Sequence, residues 1–565
     1  MSDSDETFRC DSAKIEGGVK ADMFIAKRRV NSVQAWLIPS ALALGIIGYA
    51  TTLPGDANWD LRSYHIYNPF ALLTGRFGLD VAPAGVQTFL SPLLDVPYYL
   101  LQKGISSLRS LNAMLAVPHA VAVMLAYAIT LSAMGAHKAG APWLAAVAVV
   151  FGVTGAASLP TLATTMSEMI PVSLVFGAVL SLMISLRENR FSFWCVVIAG
   201  LLSGAAIGSK LTVTPSVLGL VAGWLAVPVV RIRVRLVGIC LFAGATVVGA
   251  CVIGGFWWYK LYEVYGNPVF PFYNDLFRSP WYHPTNPIDG RFFPRSTLQW
   301  FAYPFFWAFT PSSLVYELPV RDPRFALALL AVSAILVRWF VQRPIARGDG
   351  HIHGGERLVV VFFAVSFAVW QWKFSILRYL AGLELLTGTM LLLAVRPWLE
   401  RIPPWSAFVV ASAVCVSTLG VTVYPRLDRA APAREPVDVL FPPIPPESSV
   451  VLLDPAPMAY TAAFAPRTVR FLGAGNYFVA GHPQGRHQRT IREILSRDTG
   501  PIWGMDFPSA LPGVSDVTLT SYGLRRTSDC SQIRSNLDGN GIRLCRLERT
   551  GPDPLSENRP ASTHP

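Results

Sequence analysis

The chain has 565 residues, of which 52% are hydrophobic and only 15% charged, whereas a soluble domain carries about 25% charged residues. The apolar residues gather into runs approaching the ~20 residues that cross a hydrocarbon core of ~30 Å, which excludes an ordinary soluble fold and points to membrane helices. The net charge of +12 does not point to nucleic acid: the basic residues sit in short loops between apolar runs, the arrangement of topology signals and anionic-lipid contacts.

Residues 1–34 read as a cytoplasmic tail carrying Lys27, Arg28 and Arg29. Its first 25 or so residues are polar and the first apolar run has no small-residue cleavage site, so no cleavable signal peptide is expected. Residues 35–424 read as one transmembrane domain. A first span near 35–53 is followed by a polar, aromatic loop, 54–111. The loop's one apolar stretch, 89–101, is broken by Pro92, Asp95 and Pro97 and is expected to lie in the interface. Further spans are expected near 112–134, 141–158, 168–186, 192–209, 211–229, 236–258, 325–341, 358–373, 377–395 and 405–424, making eleven with the first.

Starting inside, alternate loops carry His137/Lys138, Arg187/Arg190, Arg231/Arg233/Arg235, Arg343/Arg347 and Arg396/Arg401, the positive-inside bias. The outer segments are then 54–111, 159–167, the turn at Lys210, 259–324 and 374–376, and an odd count of spans puts the C-terminal tail outside. That tail starts with a Pro-rich spacer, 425–447. An α/β domain over 448–550 follows, with strands expected at 450–453, 469–472, 502–505 and 542–547 and a helix at 488–496. Residues 551–565 read as disordered. The expected fold is an all-α polytopic membrane bundle of about eleven transmembrane helices with a small C-terminal extracytoplasmic α/β domain, in a cytoplasmic membrane of bacterial type. Cys530 and Cys545, both in the tail, are able to pair if that side is oxidising; no cysteine spacing resembles a zinc site.

The chemistry-bearing residues fall at the outer ends of these runs. The first loop holds Asp56, Asp60, Arg62, Tyr64 and His65 within about ten residues. A carboxylate at a membrane boundary serves as a general base where low polarity lifts its pKa. The plainer alternative is that Asp56 and Asp60 cap a helix or pair with Arg62. His65 reads as a hydrogen-bonding partner, with no second metal ligand at helical spacing. Lys210, in the turn Gly204-Ala-Ala-Ile-Gly208-Ser209-Lys210-Leu-Thr212, runs against the positive-inside bias; it either holds a phosphate or snorkels to the headgroups. Arg378, followed by Tyr379, has the fork that grips phosphate oxygens. Glu168 opens a span, where an acid also suits the helix dipole. The aromatic loop from Trp257 through Tyr273 reads as a groove cover or an interfacial belt, and His351 and His353 as solvated.

In order and sidedness these features resemble the GT-C superfamily of membrane glycosyltransferases, which includes protein O-mannosyltransferases and lipid A sugar transferases. The matching features are the acidic first loop (Asp56, Asp60), Glu168, the Gly204/Gly208/Lys210/Thr212 turn, the Arg378-Tyr379 pair and the soluble tail. The likeness covers most of the membrane part. It implies a polyprenyl-phosphate-linked sugar donor and inverting transfer to an acceptor hydroxyl. Asp60 would be the base, with Asp56 as the alternative. Lys210 and Arg378 would hold the donor phosphate, while Arg62, Tyr64, His65, Glu168 and Tyr379 position donor or acceptor. No cofactor is required, a divalent metal is allowed, and the other partners are membrane lipids and not nucleic acid. The chain lacks the Asp-Glu dipeptide of the protein O-mannosyltransferases and a WWDYG-type oligosaccharyltransferase signature, which leaves the acceptor (glycan, lipid or protein) open. The rival readings are a transporter or flippase for a lipid-linked or small solute, and a scaffold whose tail is the binding module.

Overall fold

The computed structural model describes residues 36–550 except 106, 136–139, 188–191, 228–231, 342–349, 483–484 and 509–512. The tail with Lys27, Arg28 and Arg29, residues 551–565, and the loop residues His137, Lys138, Arg190, Arg231, Arg343 and Arg347 lie outside the described residues, as do the side chains of His351 and His353.

The chain enters through α1 (Trp36–Ala50). A polar segment follows that holds a π-helical turn (Leu61–His65), α2 (Tyr67–Leu73) and α3 (Val96–Gly104). Apolar helices come next: α4 (Leu108–Met134), α5 (Ala141–Val153), α6 (Met169–Arg187), α7 (Phe193–Ser209), α8 (Thr214–Leu225) and α9 (Ile232–Tyr265). The loop beyond contains α10 (Asn274–Phe277) and α11 (Thr297–Ala308). The bundle closes with α12 (Arg324–Val341), α13 (Gly350–Lys373), α14 (Ala381–Leu385), α15 (Thr387–Leu399) and α16 (Pro404–Val421).

Each expected span corresponds to a helix, but the count of eleven membrane crossings does not stand. Among the described residues six helices are long and apolar enough to cross: α4, α6, α9, α12, α13 and α16. The number becomes seven if the pair bent by 42° within 377–399 is one span. The other four apolar helices have 10–17 residues, which at 1.5 Å per residue gives roughly 15–26 Å, short of a ~30 Å core. The side assignment drawn from an odd count therefore does not carry over.

Small residues set the helix spacing. A Cβ added to Gly204 of α7 would lie 2.0 Å from the Thr246 carbonyl oxygen of α9, and one on Gly208 2.7 Å from that of Ala250. The Gly204–Gly208 spacing, read from sequence as part of a lysine-bearing turn, is thus a close-packing stripe against α9. A second device lies where α5 ends. Glu384, fully buried, accepts the amides of Ala157 (3.0 Å) and Ser158 (2.7 Å). Asp322 accepts that of Ala156 (2.8 Å) and pairs with buried Arg324 (3.0 Å). These acceptors fix the chain that leads from α5 to Glu168.

The C-terminal region is a six-stranded sheet in the order β1-β5-β6-β4-β2-β3. Its strands are β1 (Val439–Leu440), β2 (Ser449–Leu452), β3 (Arg470–Leu472), β4 (Ile502–Asp506), β5 (Leu524–Ser535) and β6 (Asp538–Arg549), with helices α17 (Tyr477–Ala480), α18 (Arg486–Arg497) and α19 (Val514–Ser521). Strands β2, β3 and β4 run parallel, and the β5–β6 hairpin closes antiparallel on β4. Cys530 and Cys545 face each other across that hairpin and form a disulfide. The sequence reading located β2, β3, β4, part of β6 and α18; it passed over β1, β5 and α19.

The first loop and this sheet share one core. Leu61, Tyr64, Tyr67 and Phe70 pack in the same buried cluster as Val450, Phe471, Met505 and Ile542. Val81 bridges to Leu472. Arg76 pairs with Asp80 and donates to the Arg467 and Val469 carbonyls, while Asp80 accepts the Phe471 amide. The stretch 89–101 folds into this core through Tyr98 and Tyr99. The loop after α9 packs into a second cluster, with Val81, Phe89 and Leu472: Tyr265 stacks on Phe270 (4.4 Å), and Tyr282 on Phe478 of α17 (5.0 Å).

Candidate functional site

Asp60 precedes the π-helical turn Leu61–His65 and does not cap it with its side chain. A π turn places successive side chains off the usual helical spacing and recurs at functional sites; here it carries Arg62, Tyr64 and His65. Asp60 instead reaches Arg378, at the head of the bent segment before α14, with Nη1 to Oδ2 at 2.9 Å. Glu168, just ahead of α6, accepts from Lys210, just beyond α7, at 2.7 Å. His65 Nδ1 meets Asp95 Oδ1 at 2.6 Å. Asp60, Glu168 and Asp95 are buried, as is His65, so the His65–Asp95 pair is held out of water, while the Lys210 and Arg378 side chains keep about a fifth of their surface exposed.

The pairs lie close enough to act on one another. Burial raises the Tyr64 hydroxyl well above its usual range, and Asp60 and Asp95 raise it further. Burial lifts the Asp95 carboxyl, against the pull of His65. For His65, burial works to strip the proton, but Asp95 beside it and Asp60 outweigh burial and Lys210, holding the imidazole above its ordinary value. Three polar atoms of these pairs are buried with no hydrogen-bond partner among the described residues: His65 Nε2, Glu168 Oε2 and Arg378 Nε. Each such atom costs about 1–3 kcal/mol and calls for a partner, a water or a bound polar group.

Asp56 stands apart. Oδ1 accepts the Asn58 amide (3.0 Å) and side chain (2.8 Å); Oδ2 accepts the Thr165 amide (2.7 Å) and hydroxyl (2.8 Å). It is a clamp between the first loop and the segment before Glu168. Arg62 also turns away: it pairs with Asp428 (2.8 Å) and Asp538, docking the linker and the sheet rather than facing the cluster. Tyr379 lies against the Arg378 guanidinium (5.3 Å) and edge-on to Phe374 (5.5 Å), so it steadies Arg378. Asp95 was missed from sequence, where it read as a breaker in an apolar stretch; a carboxylate in such a stretch was itself the signal.

Among the described residues no group of three His, Cys, Asp or Glu side chains is placed to hold a metal ion. No known protein family matches the chain, and no curated protein matches it. The fold and site define the class: a helical membrane protein whose first loop packs with its C-terminal α/β region and, with the ends of its helices, carries a cluster of ion pairs.

Proposed function

We propose that the protein is an inverting membrane glycosyltransferase, moving a sugar from a polyprenyl-phosphate donor to an acceptor hydroxyl at the outer face of the membrane. One observation carries this reading. Asp60, Glu168, Lys210 and Arg378, singled out as charges at the ends of apolar runs, come from four distant segments and meet as two adjoining pairs among unpartnered polar atoms. The disulfide in the C-terminal sheet supports placing that region on an oxidising side.

The chemistry follows from the charges. The acceptor oxygen attacks the anomeric carbon opposite the phosphate, whose C–O bond breaks with the electron pair going to phosphate. Lys210 and Arg378 turn toward the charge that develops there, where fixed cations act most strongly. Arg378 engages only Oδ2 of Asp60, and Oδ1 is left to take the acceptor's proton. Glu168 and Asp60 keep the two cations aligned until donor arrives. No step is routed through a metal.

Asp60→Asn tests this. The variant is expected to insert and fold, giving up one bond to Arg378, and to lose transfer by at least 100-fold, a range typical of a lost general base. The readout is sugar transfer from an isoprenyl-phosphate-linked donor, alongside mass spectrometry of lipid-linked sugars and surface glycans in a deletion strain. Full activity in the variant, or an unchanged glycan inventory in the deletion strain, sinks the reading.

A further inference from the structure

Two of the three ion pairs have roles above; the third, His65–Asp95, has none. Its geometry is specific. Asp95 sits thirty residues along the chain, just before α3, and takes His65 Nδ1 at 2.6 Å. A carboxylate on one imidazole nitrogen fixes the ring and its tautomer, so Nε2 is held on the far side of the ring. That atom is buried and unpartnered among the described residues, as is Arg378 Nε. The groups around the ring are Asp95 and Asp60, which favour its proton, Lys210, which opposes it, and the Tyr64 ring, 4.1 Å away.

We propose that His65 is a third donor to the phosphate of the isoprenyl-phosphate substrate, through Nε2–H, and that Asp95 is the positioning residue that keeps it aimed and protonated. This rests on the transferase reading above. No bond to His65 is made or broken; the imidazolium donates one charge-assisted hydrogen bond to a phosphate oxygen, completing a set in which each phosphate-facing cation is backed by its own carboxylate. The sign of the pH dependence follows. The proton on His65 is held above the ordinary imidazole range, so binding is strongest below that raised value and weakens as pH rises through it.

The test is equilibrium binding by the full-length protein in detergent, using an isoprenyl phosphodiester as probe, because a diester carries one charge that does not titrate in this window. Dimethyl phosphate serves as the second probe and separates recognition of the lipid-borne phosphate from that of any phosphate. Wild type is expected to lose about tenfold in affinity across the window, the scale of one charged hydrogen bond. Asp95→Asn, nearly unchanged in volume, moves that loss to lower pH. His65→Gln binds weakly at every pH. If His65→Gln does not fold, Asp95→Asn alone decides. A wild type that transfers sugar but binds the diester equally at all pH values, or an Asp95→Asn profile superimposed on wild type, overturns the inference and leaves the transferase reading standing. A wild type that binds no isoprenyl phosphodiester removes both.

Discussion

Asp56 and Asp60 are one helical turn apart in sequence and do different work. Asp56 is surrounded by donors from Asn58 and Thr165 that fill both its oxygens; Asp60 keeps one oxygen for Arg378. Replacing a buried acceptor with an amide puts an N–H against another N–H, and breaking such a charged network costs about 3 kcal/mol. Asp56→Asn is therefore expected to lower the melting temperature in detergent further than Asp60→Asn, which gives up only the bond to Arg378. Equal melting of the two would show that Asp56 is no clamp. Sequence could not divide these roles, because both are carboxylates after an apolar run and their partners lie over a hundred and over three hundred residues away. Arg62 was illegible for the same reason, its partners being 366 and 476 residues distant. Lys210, Glu168 and Arg378 were legible because a charge at the end of an apolar run is costly wherever the chain goes.

At the scale of elements, hydropathy located the helices but misjudged what surrounds them. An apolar run reports exclusion from water and does not distinguish lipid from protein neighbours. In α5, Leu144, Ala145, Val149 and Phe151 are buried, so protein neighbours by themselves account for its apolar run. Gly204 shows a similar ambiguity: glycine before a lysine reads as a turn feature, yet here it lets α9 approach α7. That gives a paired prediction. Gly204→Ala pushes a methyl carbon to 2.0 Å from a backbone oxygen, which cannot step aside. It is expected to destabilise by about 1–3 kcal/mol and to shift Lys210, six residues on. Gly244→Ala, on α9 and with nothing within 4 Å of the added carbon, is expected to be neutral or to stabilise by up to ~1 kcal/mol. Thermal melting of both variants decides; a Gly204→Ala protein as stable as the Gly244→Ala one would mean the helices are not held at that contact.

At the scale of the whole molecule, the sheet does not behave as an appended module. The turn that carries Tyr64 and His65 packs on the 3-10 turn Ala459–Phe464 and shares a buried cluster with Val450, Phe471 and Met505. Asp80 of the same loop holds the backbone of β3 and Arg76 that of the segment just before it, and Arg429 of the linker donates to the Ala163, Pro160 and Leu162 carbonyls beside the Asp56 clamp. Composition alone suggested a stiff linker and a separate domain, because contacts between segments hundreds of residues apart leave no local pattern. If the loop takes its shape from the sheet, a chain ended after Tyr424 loses the surface on which Asp60 and His65 are mounted while keeping every long apolar helix. That truncated chain is expected to insert in membranes, to show new protease cleavage within 54–111, and to lose isoprenyl-phosphate binding along with transfer. The scaffold reading predicts instead that the isolated tail retains the protein's function. Retained transfer by the truncated chain would show that the helices alone assemble the site and that the shared core is only a docking contact.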